Sequence, residues 1–140
     1  MAVTFSVSQK LSDDEKYIRT TVFVNEQKFN EEFDTVDNNC THIVLYIDGK
    51  AAACCRFFPG DKENEYYIGR VACLKEYRGK SLGRIIMEKA EDEIRKAGGR
   101  LVAVSAQLRI SGFYERLGYT KMGDIYLDEY CRHIHMEKTL

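Results

Sequence analysis

The sequence predicts an α/β protein, an α+β mixed sheet flanked by about four helices, and three stretches carry that expectation. The apolar runs "EYYIGRVACL" and "RLVAVSA" stand on either side of the clearest helical pattern in the chain. A strand, a helix and a strand in that order need a crossover connection, which makes the two strands parallel. In "THIVLYIDGKAAACCRFF", Asp48-Gly49 lies between two apolar runs, a strong hairpin signal, so that pair is antiparallel. A sheet with both kinds of pair is mixed, and helices must cover it.

The elements follow in order. "VTFSVS" alternates as a first strand. Ser12 is the N-cap of a helix running through "YIRTTVFVNEQ", and Asp13, Asp14 and Glu15 suit its positive end. "NEEFDTVDNN" is a solvated acidic loop holding one short helical turn. After the hairpin, "FPGDKEN" turns the chain into the long strand "EYYIGRVACL". Leu82, Ile85, Ile86, Ala90 and Ile94 recur at helical spacing, and Gly98-Gly99 ends that helix. "RLVAVSA" carries a short, nearly continuous apolar run, as expected for the interior of a sheet. "ISGFYERLG" is a shorter helix closed by Gly118, and "YTKMGDIYLDEY" with "RHIHMEKTL" completes the sheet.

No repeat or linker divides residues 1–140, which are expected to form a single domain. A net charge of −1 gives no basic field for nucleic acid or an anionic membrane, so any anion site must be local. The N-terminus lacks the pattern of a signal peptide, and a cytoplasmic protein is expected. The five cysteines are odd in number, with none in C-x-x-C, and are read as reduced and mostly buried. Cys40, His42, His133 and His135 lack the paired spacing of a zinc site, so no metal is expected; His133 and His135 share one face of a strand.

One local anion site does stand out. Arg78, Gly79, Lys80, Ser81, Leu82, Gly83 and Arg84 gather where the long helix begins. A helix start offers free N–H groups and a positive dipole end, and glycines let a ligand approach the backbone. The Walker A and dinucleotide fingerprints are both absent. Local chemistry alone leaves a plain solvated basic turn as an equal alternative.

"VACLKEYRGKSLGRIIMEKAEDEIRKAG", then "LVAVSA" and "GFYERLGY", resembles the GCN5-related N-acetyltransferase (GNAT) superfamily. Its phosphate-loop pattern [QR]-x-x-G-x-[GA] falls on Arg78 to Gly83, with Ser81 where a glycine is common. "VFVNEQ" before an acidic loop, and the terminal "YLDEYCRHIHMEK", are similar to a compact bacterial branch, so the resemblance covers nearly the whole chain. It implies the GNAT acyl-CoA N-acyltransferase fold and acetyl transfer from acetyl-CoA to an amine.

By that resemblance, the CoA pyrophosphate lies on the N–H groups of residues 79–84, supported by Arg78 and Lys80. The pantetheine arm runs beside Val71, Ala72 and Cys73, and the Val71 N–H polarises the thioester carbonyl. Tyr114 protonates the leaving thiolate and also touches the cofactor. His133 is the base for the acceptor amine, with Glu26 acting through water as the alternative. Arg19, Phe23, Glu26, Gln27, Arg70 and His133 line the acceptor side. The favoured acceptor is a small-molecule amine, with a peptide or protein amine second. A non-catalytic CoA-binding module and a nucleic-acid binder are the other readings, and a homodimer is common in such folds.

Overall fold

The computed structural model describes residues 2–29 and 33–140. Seven strands form one mixed sheet in the order β1-β2-β3-β4-β5-β7-β6. They are β1 (Val3–Ser8), β2 (Thr41–Ile47), β3 (Lys50–Pro59), β4 (Glu65–Cys73), β5 (Leu101–Gln107), β6 (Thr120–Asp128) and β7 (Cys131–Thr139). Three α-helices accompany them: α1 (Asp13–Arg19), α2 (Leu82–Lys96) and α3 (Ser111–Arg116). The fourth expected helix is a short 3-10 turn at Thr35–Asn39, inside the acidic loop. Asn30, Glu31 and Glu32 of that loop lie outside the described residues.

The turn chemistry explains the sheet. Asp48 and Gly49 both take left-handed φ values (49° and 82°), as the two-residue hairpin turn between β2 and β3 demands. β4 and β5 pair in parallel from Glu65↔Leu101 to Tyr67↔Ala103, the crossover that α2 was expected to make. β5 also pairs antiparallel with β7 along its whole length, so it is interior, as its nearly continuous apolar run predicts.

Two compact units divide the chain. The first comprises Met1–Phe58 with Arg70–Ala90, and the second Pro59–Gly69 with Glu91–Leu140. In the first, Ile18, Val22, Val44, Cys54, Ala72 and Leu74 form a buried cluster, with Phe23 and Tyr77 packed against it. In the second, Ile94, Val102, Val104, Ile134 and Met136 are buried. A buried carboxylate there, Glu91, accepts from the Tyr119 hydroxyl (2.7 Å) and the Lys138 ammonium (2.9 Å).

The first helix departs from the expected uniform α-winding. Ser12 caps it as expected, its Oγ accepting from the Glu15 N–H at 3.1 Å. Beyond Arg19 the chain widens into a π-helix over Thr20–Glu26, closed by a Gln27 N–H donating to the Val22 carbonyl five residues back. Such segments are rare and recur at functional sites. Among the described residues, no helix is long and apolar enough to cross a membrane.

Candidate active site

The stretch from Arg70 to Arg84, all in the first unit, holds every residue assigned to the cofactor except Tyr114. It begins with a break in β4: Arg70 has a φ of 51° in the interior of a strand. A left-handed residue inside a strand departs from the regular pleat and redirects the chain locally. Val71 and Cys73 follow, half-buried, on either side of the buried Ala72. A 3-10 turn at Lys75–Tyr77 then leads to Arg78.

The turn itself is exposed from Arg78 to Ser81. Gly79 has a φ of 82°, and a Cβ there would meet nothing within 4 Å, so its glycine serves the backbone angle rather than a tight fit. Ser81 also sits in the left-handed region, at 62°. Its carbonyl accepts the Ile85 N–H at 3.1 Å, which makes it the residue just before α2. A serine there thus adopts the angle for which glycine is usual, at a cost of about 1–2 kcal/mol. The first N–H groups of α2 are left without helical acceptors by geometry.

The charges of this turn differ in their partners. The Arg78 guanidinium is turned back, its Nε donating to the Cys73 carbonyl (3.0 Å) and its two terminal nitrogens to Glu26 (3.0 and 2.9 Å). Arg84 pairs along α2 with Glu88 at 3.2 Å. Arg78, which the resemblance set in support of the pyrophosphate, thus has its guanidinium engaged within the protein.

The expected acceptor residues scatter. Arg19 is fully buried, donating to Glu15 (2.7 Å) and Asp37 (2.8 and 3.1 Å), so its expected place beside an acceptor is corrected to a structural one. Phe23 is half-buried against the core cluster and meets Phe29 edge-on at 6.4 Å. Arg70 reaches Asp34 at 3.4 Å. Gln27 closes the π-segment.

The expectation of a solvated acidic loop fails for Asp37, which is buried, while Asp34 stays exposed. Arg56, alone among apolar neighbours on β3, donates to Asp34 (2.7 Å) and Asp37 (2.8 Å). Burial works against the ionised Asp37, but the hydrogen bonds from Arg19 and Arg56 outweigh it and lower its pKa to about 2. His42 faces acceptors at both ring nitrogens: Glu15 at 3.0 Å and the Asp37 carbonyl at 2.9 Å. Only the doubly protonated ring satisfies both. Burial opposes that charge, yet the bond to Glu15 and the Asp37 carbonyl raise the pKa of His42.

Asp37, Cys40 and His42 have ligand-type atoms within 4.8 Å of one another. A cation fits poorly there. Two guanidiniums hold the carboxylate, the Cys40 thiol bonds the Val36 carbonyl at 3.1 Å, and burial pushes that thiol up to about 11.

In the second unit, Tyr114 on α3 is 6% exposed and packed edge-on by Phe113 (5.0 Å) and Tyr119 (5.9 Å). His133 on β7 is buried, with Nδ1 3.0 Å from the Cys131 carbonyl. A carbonyl only accepts, so Nδ1 is the donor in this contact. Tyr126 on β6 stacks on this imidazole (6.0 Å, 26°) and its hydroxyl meets Ser105. The sequence reading missed both residues; the β6–β7 register that pairs Tyr126 with His133 was not legible there. His135 pairs with Glu137 at 2.8 Å.

The comparisons agree with this architecture. The sequence model of the acetyltransferase (GNAT) domain matches residues 7–140. The uncharacterised N-acetyltransferase YjcF of Bacillus subtilis is 29% identical over 141 residues, covering 99% of both chains. A structure from Lactobacillus plantarum, described as a candidate N-acetyltransferase, superposes with a TM-score of 0.91 at 27% identity, over 100% of this chain and 99% of its own. An acyl-CoA N-acyltransferase from Pseudomonas aeruginosa superposes with a TM-score of 0.84 at 29% identity, over 98% and 99%. The chain belongs to the GNAT acetyltransferase family and is an N-acetyltransferase of that fold.

Proposed function

We propose that this enzyme moves the acetyl group of acetyl-CoA to the primary amine of a small molecule, by direct attack in a ternary complex. The observation that carries the reading is the concentration of left-handed backbone at Arg70, Gly79 and Ser81, within about a dozen residues that end where α2 begins. Two of the three are not glycine, and Arg70 lies within a strand rather than in a turn, where strained backbone is a mark of binding sites. The acyl-CoA N-acyltransferase named among the similar structures supports the cosubstrate class.

In this reading the backbone N–H groups of 79–84 receive the pyrophosphate, with Lys80 and Arg84 adding positive charge. Val71, Ala72 and Cys73 take the pantetheine arm as an added strand. Val71 directly follows the left-handed Arg70, and in this reading its N–H is aimed at the thioester oxygen. Such a donor contributes about 2.7–4 kcal/mol in comparable sites. The amine nitrogen attacks the carbonyl carbon, the C–S bond breaks and an amide forms. The amine proton passes to His133 Nε2, and Tyr114 gives its proton to the departing thiolate.

The rest of the reading is broader: a single cytoplasmic domain over residues 1–140, in the branch marked by Val22–Gln27, with no nucleic-acid partner and with homodimer formation open to measurement. A non-catalytic CoA-binding module would have no use for Tyr114 or His133 as assigned, and the family match favours the enzyme.

A thermal melt with acetyl-CoA beside CoA, ATP and NAD tests the cosubstrate. At 100 times the dissociation constant, the CoA compounds alone should stabilise the fold by about 2.7 kcal/mol. No shift at saturation would remove the reading. For turnover, Tyr114→Phe should cut kcat about 10²-fold or more, with CoA affinity little changed. Unchanged turnover would strip Tyr114 of its role.

A further inference from the structure

We propose that Glu26 is a positioning residue for the cofactor loop, acting through Arg78 to hold the turn from Gly79 to Gly83 in the shape that receives a pyrophosphate. This rests on the acetyl-CoA reading above, and it takes Glu26 out of the acceptor set.

The geometry is specific. Three nitrogens of Arg78 are spent within the protein: Nε on the Cys73 carbonyl at 3.0 Å, and both terminal nitrogens on the two oxygens of Glu26 at 3.0 and 2.9 Å. A guanidinium is a rigid planar fork, so a two-pronged carboxylate and a third bond together fix its plane. The residue so fixed immediately precedes Gly79 and, three positions on, the left-handed Ser81. A turn holding a non-glycine residue in that region needs restraint at both ends. At one end, α2 begins with the Ser81 carbonyl bonded to Ile85. At the other, Arg78 is clamped, and its own N–H donates to the Lys75 carbonyl at 3.2 Å.

Glu26 is well placed to be the clamp. It is the last residue of the π-segment, whose Val22 is buried and whose Phe23 packs on the core cluster. The carboxylate is thus presented by an anchored element rather than by a loose loop. The pair itself remains solvent-facing, with side chains 42% and 33% exposed, so its contribution is to shape and not to the stability of the fold. The charge offered to the phosphates then comes from the start of α2 and from Lys80, while Arg78 sets where those groups stand. Glu26 joins the segment once assigned to the acceptor with the loop assigned to the cofactor.

Calorimetric titration of CoA, and of S-acetylpantetheine, which lacks the pyrophosphate, tests the proposal in Glu26→Gln, Arg78→Lys and the double variant. Arg78→Lys keeps the charge and loses the fork. Each single change should weaken CoA about five- to tenfold, and the double should be no weaker than the worse single, since the two act as one unit. Affinity for S-acetylpantetheine and the melting temperature should stay near the parent values. Tighter CoA binding by Glu26→Gln would overturn the proposal, because Glu26 would then be competing with the phosphates for Arg78. Parent-like CoA binding by Arg78→Lys would overturn it as well, leaving Arg78 a simple point charge. Equal losses for both ligands would assign the pair to fold maintenance instead. A parent enzyme that binds S-acetylpantetheine and CoA equally would instead locate the fault in the phosphate-loop reading itself.

Discussion

The network around Asp37 and the turn from Arg78 to Arg84 are both dense in charge, and they are built in opposite ways. In the network, Glu15, Arg19, Asp37, His42 and Arg56 are all at most 7% exposed, and their charged groups face one another. In the turn, Arg78, Lys80, Ser81 and Arg84 face solvent, and the backbone offers N–H groups that the helix cannot use. A buried charge needs its partner supplied by the fold; an exposed donor beside strained backbone is arranged for a partner from outside. Similar composition therefore serves internal pairing in one place and, in the function proposed above, ligand binding in the other.

The sharpest break of that contrast is Asp37→Ala. It removes the carboxylate that Arg19 and Arg56 share, leaving them to Glu15 and Asp34, and should cost about 3–5 kcal/mol in urea unfolding. A loss below 1 kcal/mol would mean the network is not tightly coupled. Acid is the next lever. Asp37 has a folded pKa of about 2 against an ordinary 3.8, so its contribution is full above the unfolded value and fades as pH falls through the folded one. Stability should drop by about 2 kcal/mol between pH 5 and pH 2 from this group alone, and the Asp37→Asn variant should lose that part of the slope. His42 has the opposite sign: its raised pKa favours the fold at low pH, and that part is lost as pH rises through the folded value. The smallest effect belongs to the turn, where Ser81→Gly relieves a left-handed serine and should raise stability by about 1 kcal/mol. A loss of stability on that change would mean the hydroxyl contributes more than the backbone angle costs.

Legibility in the sequence followed the same division. The β2–β3 hairpin was readable because Asp48-Gly49 names its turn type, and α2 because its apolar spacing is strict. The parallel β4–β5 pair followed from chain connectivity alone. The start of α2 was readable because the residue types of the turn before it are local and contiguous. The Asp37 network was not, since its members come from α1, the 3-10 turn, β2 and β3, and only folding brings them together. Arg56 left one trace, an arginine in the midst of "AAACCRFF". Arg19 was misread for a related reason: helical spacing shows which residues share a face but not whether that face meets solvent. The change of winding after Arg19 left no pattern to detect.

That change of winding has a consequence for how such a chain diversifies. In an α-helix each residue turns the next by about 100°. The wider turn over Thr20–Glu26 sets everything beyond it, Glu26 and Gln27 included, out of phase with Asp13–Arg19. Removing a single residue from the segment would let it rewind and bring a different side chain opposite Arg78, while Arg19 stayed in its buried place. The segment works as a vernier, in which one insertion or deletion re-indexes the side chains presented to the turn at Arg78 and leaves the sheet untouched.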